Sequence, residues 1–359
     1  MPLIVTPPVD LRSDTVTRPT AAMRRVMAEA EVGDDVYDED PTVRRLEETT
    51  AQLLGKESAL FVPSGHMGNV VALRVHGRPG REVIVEEWSH VMTSEGGAAA
   101  ALAGLTLRPL PSRGGVLDPV RVEEALVLDD DPHHAPTVLA CIENTHNRHG
   151  GRIYPVSELA DLAGRLATHG IPLHLDGARL WNAAAALSAP PAELAGPAAS
   201  VMVCFSKGLG APVGSALAGS AAFIHEARRA RKLLGGGMRQ IGILAAACLH
   251  ALDEHRERLV DDHRRARRLA DLVDLPEGAE VLGVRPETNM VIWKLPTDRY
   301  DVVEIRRRLA LEGILMSDFG PGRLRAVTHM DIDDAGIERA GAVLNQVLAG
   351  IPARTIGAR

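Results

Sequence analysis

The sequence predicts an α/β fold: a large domain with a mostly parallel seven-stranded sheet between helices, and a small C-terminal α/β domain. Three observations support this prediction. Short apolar runs alternate with helical patterns through the middle of the chain. From about residue 250 the pattern changes to a long charged helix, an apolar run and a further helix. At 359 residues, the chain is also long enough for one large domain and a smaller one.

We expect an N-terminal arm over residues 1–24, the large domain over 25–249 and the small domain over 250–359. The stretch 155–169 begins with proline and is followed by glycine, as is typical of a helix. The candidate strands of the large domain are residues 58–64, 82–87, 106–111, 137–144, 171–176, 199–206 and 215–220. The alternation of these strands with helices indicates parallel pairing.

Composition narrows the class of protein. A net charge of −7, with 45% hydrophobic and 24% charged residues, is typical of a soluble globular protein and argues against nucleic-acid binding. The N-terminus does not resemble a secretion signal and no apolar run is long enough to span a bilayer, so we expect no membrane segment. Three separated cysteines in apolar contexts indicate reduced thiols in a cytoplasmic protein. The basic stretch 263–272 has the spacing of a solvated helix face.

Chemically active residues follow several of the predicted strands. In open parallel sheets, ligands bind beyond the carboxyl ends of the strands. Asp176 ends one strand, and Arg179 follows it closely. Lys207, one of only four lysines in the chain, follows the next strand and precedes a glycine-rich turn. We therefore expect an amine, a carboxylate and a guanidinium to meet at one edge of the sheet.

Two further strand ends add an anion site and an imidazole. Backbone N–H groups of Gly65 and His66, at a glycine-rich helix start, suit a phosphate. His90 follows the strand at 82–87. Pyridoxal phosphate needs a lysine for its aldehyde, an acid for its ring nitrogen, a phosphate site and a flat group against its ring. Lys207, Asp176 and His90 would supply the first, second and fourth of these.

Each of these features alone is also typical of ordinary loops, so the prediction depends on their conjunction. Longer motifs recur along the chain. They are DLRSDTVTRPT at 10–20, GDDVYDEDPTV at 33–43, ENTHN at 143–147, HLDGARLWNA at 174–183, SKGLGAPVGS at 206–215, RKLLGGGMRQ at 231–240, TNM at 288–290 and RAVTHMD at 325–331. In this order they resemble the motifs of low-specificity L-threonine aldolases, within the β-eliminating lyase family and the aspartate-aminotransferase fold (fold type I).

The resemblance implies a pyridoxal-phosphate-dependent carbon–carbon lyase. Its substrates would be L-threonine, L-allo-threonine and related β-hydroxy-α-amino acids, and its products glycine and an aldehyde such as acetaldehyde. The cofactor-binding residues that it implies are Lys207, Asp176, Arg179, Gly65, His66, His90, Ser206, Lys232 and Arg239. For the substrate carboxylate it points to Ser13, Arg179 and Arg325.

The resemblance also assigns a base and an assembly. His133, in the segment 130–137, is expected to contact the substrate hydroxyl; His134, His146, His90 and water remain alternatives for the base. Lys232 and Arg239 are expected to reach the phosphate of a neighbouring subunit. This implies a homo-oligomer built from dimers, expected as a tetramer, with shared active sites. The family commonly has threonine where this chain has His66.

Other functions remain open at this point. The same cofactor site could catalyse β-elimination, transamination or racemisation of amino acids. A cofactor-binding protein without turnover is an alternative of another class. The products formed from L-threonine discriminate between these functions. The sequence gives no information on the preferred β-hydroxy amino acid or on a bound monovalent cation or other metal.

Overall fold

The computed structural model describes residues 7–129, 131–283 and 285–351. Its strands are β1 (Val9–Asp10), β2 (Ser58–Val62), β3 (Glu82–Glu86), β4 (Thr106–Leu110), β5 (Thr137–Glu143), β6 (Leu173–Gly177), β7 (Ser200–Cys204), β8 (Ser215–Gly219), β9 (Glu280–Val281), β10 (Met290–Lys294), β11 (Ile314–Leu315), β12 (Ser317–Asp318) and β13 (Arg323–Val327). Its helices are α1 (Ala21–Ala28), α2 (Pro41–Leu54), α3 (Gly65–His76), α4 (His90–Thr93), α5 (Ala98–Ala103), α6 (Pro119–Glu124), α7 (Val156–Thr168), α8 (Leu180–Leu187), α9 (Pro191–Ala195), α10 (Ala221–Leu233), α11 (Gly242–His250), α12 (Leu259–Leu272), α13 (Val302–Leu311) and α14 (Asp334–Ala349).

Seven strands form the central sheet, in the order β2-β8-β7-β6-β5-β3-β4. Neighbours from β7 to β4 pair in parallel, whereas β8 is antiparallel to both β2 and β7. Every residue of β3, β6, β7 and β8 is buried. Strands covered on both faces become continuous apolar runs, which is why they were recognisable in the sequence. The structure confirms the mostly parallel, seven-stranded sheet.

A second apolar cluster lies around a smaller sheet, with the strand order β12-β13-β10-β9. Trp293, Ile305 and Leu344 are buried in it. Strand β1 pairs with β11, and Leu11 joins the same cluster, so residues 9–11 are anchored on the C-terminal part of the chain. Residues 1–6 of the predicted arm and 352–359 of the predicted small domain lie outside the described residues.

The domain boundary at residue 250 stays a prediction. Helix α11 continues into a π-helical turn over Ala251–His255, and α12 begins at Leu259. The basic stretch 263–272 lies on α12, where Arg265 and Arg268 pair with acidic residues of α14 at 2.7 Å each. Among the helices that the structure describes, none is both long and apolar enough to cross a bilayer.

Candidate active site

A cavity of about 210 Å³ opens at the carboxyl edge of the central sheet. It lies where β5, β6 and β7 end and where α3 and α4 begin. Its lining residues are Ser64, Gly65, His66, Asn69, His90, Glu143, Asn147, Asp176, Ala178, Arg179, Met202, Cys204, Ser206 and Lys207. Parallel strands deliver their carboxyl ends to one edge, so residues distant in sequence meet there.

Lys207 presents a free amine to this cavity. It follows β7, and its backbone carbonyl accepts a hydrogen bond from Thr17 Oγ1 at 3.0 Å. Its Nζ makes no hydrogen bond or ion pair within the described ranges. Lys56 instead donates to two backbone carbonyls, and Lys294 pairs with a carboxylate. Lys207 is therefore half-buried, held by its backbone and free at its nitrogen.

Asp176, near the end of β6, is a buried carboxylate that is 2% exposed. Its Oδ1 accepts the N–H of Ala178 at 3.1 Å, and its Oδ2 accepts a hydrogen bond from Asn69 Nδ2 at 2.8 Å. No basic side chain of the described residues forms an ion pair with it. A buried carboxylate without a countercharge is costly. A protonated heterocyclic nitrogen in the cavity would supply the missing positive charge.

The start of α3 forms an anion site. Ser64 caps the helix, and its Oγ accepts an N–H of the first turn at 3.2 Å. The N–H groups of Gly65 and His66 have no intrahelical acceptor, because they lie in the first turn. A Cβ on Gly65 would lie 2.7 Å from Cys204 Sγ, so only glycine allows this close approach to β7. Free N–H groups at the positive end of a helix suit a phosphate.

Two imidazoles flank a buried carboxylate at the cavity. His90 Nδ1 donates to Glu95 Oε1 at 2.9 Å, and its backbone N–H donates to Glu143 Oε2 at 2.8 Å. The hydrogen bond to Glu95 raises the pKa of His90 despite its burial. The negative charge of Asp176 acts in the same direction. The side chain of His66 is 45% exposed, and its Nε2 lies 3.9 Å from Glu95 Oε2.

Arg179 follows β6 and is tied to the N-terminal segment. Its Nε and Nη2 donate to the two carboxylate oxygens of Asp14, at 2.8 and 2.6 Å. Burial alone would raise the pKa of Asp14, but the charge and hydrogen bonds of Arg179 hold it well below its usual range. Ser13 precedes Asp14 and is half-buried; its Oγ accepts the N–H of Thr15 at 3.2 Å.

Arg325, on β13, reaches the rim of the cavity through another side chain. Its Nη1 donates to Asn147 Oδ1 at 2.8 Å, and its Nη2 donates to the carbonyl of Arg12 at 2.9 Å. The guanidinium lies 4.2 Å from the ring centre of Phe319. Burial, together with the nearby charge of Arg179, lowers the pKa of Arg325 to about 10. Its buried Nε has no hydrogen-bond partner among the described residues.

The structure does not bring His133 to this cavity. Its side chain is 87% exposed, and its Nδ1 pairs with Asp131 at 2.7 Å. His133 precedes β5, which begins at Thr137 and ends at the cavity with Glu143. A strand of this length spans about 20 Å. His133 therefore lies at the opposite edge of the sheet, and its role as the base stays a prediction that requires a second subunit.

The other candidate bases are also placed by the structure. His134 lies on the same exposed loop and pairs with Asp129 at 3.0 Å. His146 is buried, and its Nε2 donates to Glu86 at 2.9 Å. Neither lines the cavity. Of the four histidines considered as the base, His90 is the one at the cavity.

Lys232 and Arg239 lie on another surface. Lys232 lines a pocket of about 510 Å³ together with Asp35, Val36 and other residues. Arg239 is exposed, and its Nη1 donates to Asp34 at 3.1 Å. The two residue sets that line this pocket and the Lys207 cavity do not overlap. A role for these cations at a neighbouring phosphate stays a prediction.

Several residues at the cavity were not singled out from the sequence. Asn69 lies four residues after Gly65, so it shares the helix face that starts the anion site. Glu143 and Asn147 belong to the ENTHN motif at the end of β5. The rule that ligands bind beyond strand ends would have found these last two.

The cavity sets three requirements for a cofactor: a carbonyl for Lys207, a protonated nitrogen for Asp176 and an anionic group for the start of α3. Pyridoxal phosphate meets all three, so the residues present fit the predicted cofactor. The central sheet, the smaller C-terminal part and this site together define a pyridoxal-phosphate-dependent enzyme of fold type I.

Comparison with known proteins gives the family. The family model described as beta-eliminating lyase matches residues 10–296. The chain is 43% identical to low-specificity L-threonine aldolase 1 of Arabidopsis thaliana over 357 residues, which cover 97% of this chain and 99% of that protein. It is 38% identical to the low specificity L-threonine aldolase of Escherichia coli strain K12 over 341 residues, covering 95% and 99%. A threonine aldolase structure from Leishmania major matches with a TM-score of 0.80 at 22% identity, covering 94% and 99%. The chain belongs to the β-eliminating lyase family and, within it, to the low-specificity L-threonine aldolases.

Proposed function

We propose that this chain cleaves L-threonine, L-allo-threonine and related β-hydroxy-α-amino acids to glycine and an aldehyde. The observation that carries the proposal is that Lys207 and Asp176 line one cavity and that neither side chain forms an ion pair with the residues that the structure describes, in a chain of this family. Bound pyridoxal phosphate supplies an electron sink for the pair released at Cα when the Cα–Cβ bond breaks. With threonine as substrate, the aldehyde is acetaldehyde.

Recognition of the substrate carboxylate is assigned to Arg179, Arg325 and Ser13. Asp14 occupies Nε and Nη2 of Arg179 and leaves Nη1 for a ligand. The unpartnered Nε of Arg325 is a buried donor that a carboxylate would satisfy. A fixed carboxylate orients the Cα–Cβ bond, and this orientation selects which bond at Cα breaks.

Asp176 and Lys207 have separate roles near the substrate Cα: one provides charge and the other transfers a proton. Asp176, oriented by Asn69 and Ala178, supplies negative charge to the ring nitrogen. Lys207 Nζ would hold the aldehyde of the cofactor and, once released from it, would stand in the cavity as an amine. In its protonated form this amine would be the acid that donates a proton at Cα to give glycine.

The β-hydroxyl proton needs an acceptor within hydrogen-bond reach. His90 lines the cavity and uses Nδ1 for Glu95, so its Nε2 can accept this proton directly or through water. His133, delivered by a second copy of the chain, is the other source. A test that distinguishes the two is given in the Discussion.

We further propose a cytoplasmic homo-oligomer built from dimers and assembled as a tetramer. Lys232 and Arg239 lie near the exposed apolar side chains of Val36, Tyr37 and Leu233. Such a mixed apolar and cationic surface suits a second copy, whose phosphate site the cations would approach. Sedimentation analysis tests this: wild type is expected as a tetramer, and a monomer would contradict it. The free, buried cysteines fit a reducing compartment.

The direct test of the reaction is product analysis with L-threonine. We expect acetaldehyde and glycine in equal amounts. A 2-oxo acid with ammonia would assign β-elimination, and D-allo-threonine, formed by inversion at Cα alone, would assign racemisation. A yellow protein that leaves every β-hydroxy amino acid intact would be a cofactor-binding protein without turnover.

A further inference from the structure

Asn69 joins two buried carboxylates at the back of the cavity. Its Nδ2 lies 2.8 Å from Asp176 Oδ2 and 2.8 Å from Glu95 Oε1, and the residue is 1% exposed. An amide nitrogen carries two hydrogens, so Asn69 donates one to each carboxylate. The preceding residue explains the close approach, because a Cβ on Gly68 would lie 2.6 Å from Met202 Cγ. Helix α3 therefore packs near enough to β6 and β7 for this contact.

A line of buried hydrogen bonds continues from Asn69 away from the cavity. Asn69 Oδ1 lies 3.2 Å from His174 Nε2, and His174 Nδ1 lies 2.8 Å from Ser200 Oγ. Ser200 Oγ in turn lies 2.7 Å from His76 Nε2. Burial lowers the pKa of His174 to about 4 and that of His76 to about 3, so both rings are neutral at neutral pH.

The carboxylates determine the direction of every bond in this line. Ionised Asp176 and Glu95 can only accept, so the amide nitrogen of Asn69 must face them and its oxygen must face His174. His174 then carries its proton on Nε2 and accepts from the hydroxyl of Ser200 at Nδ1. Ser200 Oγ in turn accepts the Nε2–H of His76. With both rings neutral, this arrangement satisfies all these contacts.

A second branch leads from Asn69 to His90. Glu95 Oε1 accepts hydrogen bonds from both Asn69 and His90 Nδ1, the latter at 2.9 Å. Neutral His90 therefore carries its proton on Nδ1, and its Nε2 is left as an acceptor. The orientation of Asp176 and the tautomer of His90 thus depend on one amide.

We propose that Asn69 is a positioning residue that holds the carboxylate of Asp176 for the cofactor ring nitrogen and, through Glu95, holds His90 with Nε2 as the acceptor. This inference rests on the proposed function for the identity of the cofactor, but not for the reaction. Removal of Asn69 takes one charge-assisted hydrogen bond from each carboxylate. The carboxylate of Asp176 would then keep the N–H of Ala178 at Oδ1 but lose the donor that fixes Oδ2.

The test compares Asn69→Ala with Val70→Ala, a buried neighbour on α3 that does not line the cavity. Titration of the apoproteins with pyridoxal phosphate, followed by absorbance, gives the dissociation constant. We expect about 10- to 100-fold weaker binding for Asn69→Ala, and binding within about threefold of wild type for Val70→Ala. Unchanged binding in Asn69→Ala, or an equal loss in both variants, would overturn the proposal.

A second measurement needs no variant and covers the case in which Asn69→Ala does not fold. Nitrogen-15 NMR of histidine-labelled wild-type protein distinguishes the two neutral imidazole tautomers. We expect His174 with its proton on Nε2 and neutral His90 with its proton on Nδ1. The opposite tautomer of His174 would contradict the proposed direction and overturn the role of Asn69. Both measurements omit amino acid substrate, so product analysis with L-threonine tests the proposed function separately.

Discussion

Asp14 and Arg179 form a buried ion pair with two hydrogen bonds of 2.8 and 2.6 Å. Asp14 belongs to the N-terminal segment and Arg179 follows β6, so the pair fastens that segment to the wall of the cavity. Asn289 Nδ2 adds a third hydrogen bond to Asp14 at 3.2 Å. The pair thus holds the guanidinium that is proposed to bind the substrate carboxylate.

Asp14→Asn should strongly destabilise the protein, because it leaves the buried charge of Arg179 without its partner. We expect a loss of about 3–5 kcal/mol in the free energy of unfolding, measured by urea denaturation. The matched control is Asp10→Asn, which breaks the more exposed pair with Arg12 and should cost about 1 kcal/mol or less. Equal losses in the two variants would contradict this account of the pair.

His133→Asn should lower kcat greatly and leave cofactor binding intact if His133 acts as the base. Since His133 lies at the opposite edge of its own subunit, it would serve another subunit's cavity. Mixed assemblies of His133→Asn and Lys207→Ala subunits should then recover about a quarter of wild-type activity, because half of the dimers carry one intact site.

The control for this experiment mixes Lys207→Ala with Asp176→Ala, whose residues line the same subunit's cavity. This mixture should recover no activity, because no combination of the two subunits contains an intact cavity. An unchanged kcat in His133→Asn would move the base role to His90, which lines the cavity, or to water. A low kcat without recovery in the mixed assemblies would rule out a base supplied by the second subunit.

Acid should destabilise the fold through its buried histidines. Burial lowers the pKa of His76 to about 3 and the pKa values of His174 and His263 to about 4. In the unfolded chain these groups titrate near 6.5, so below that pH the unfolded state binds more protons. Above about pH 6.5 both states hold these histidines neutral, and the free energy of unfolding is not reduced by them. Between pH 6.5 and about pH 4, the free energy of unfolding decreases by up to about 1.4 kcal/mol per pH unit for each histidine.

Urea denaturation of the apoprotein between pH 7.5 and 5 measures this slope. His76→Gln should reduce the slope by the contribution of one histidine. The control is His225→Gln, at an exposed position without an ion pair among the described residues, which should leave the slope close to that of wild type. Identical slopes in wild type and His76→Gln would contradict the assignment.

His66→Thr should strengthen cofactor binding. The change places a hydroxyl at the start of α3, where it can donate to the phosphate, and such a hydrogen bond is worth about 2- to 10-fold in affinity. Titration of the apoprotein with pyridoxal phosphate measures the effect, and His134→Thr, on an exposed loop outside the cavity, is the control. Weaker binding in His66→Thr would show that the imidazole itself supports the cofactor.

The strands and the positions of Lys207 and Asp176 could be predicted because both follow from local patterns. Doubly covered strands are continuous apolar runs, and parallel strands end at one edge. Asn69 and Glu95 could not be assigned in this way, since their contact joins α3 to the loop between α4 and α5, and no local pattern in the sequence brings these two segments together. Resemblance identified His133 but could not show which subunit's cavity it faces.

The most direct test of the account is the identity of the lysine that binds pyridoxal phosphate. Borohydride reduction of the holoenzyme makes this linkage permanent, and peptide mapping by mass spectrometry then locates it among the four lysines. We predict that the pyridoxyl phosphate mass is found on the peptide that contains Lys207. Finding it on Lys56, Lys232 or Lys294 instead would contradict the proposed site.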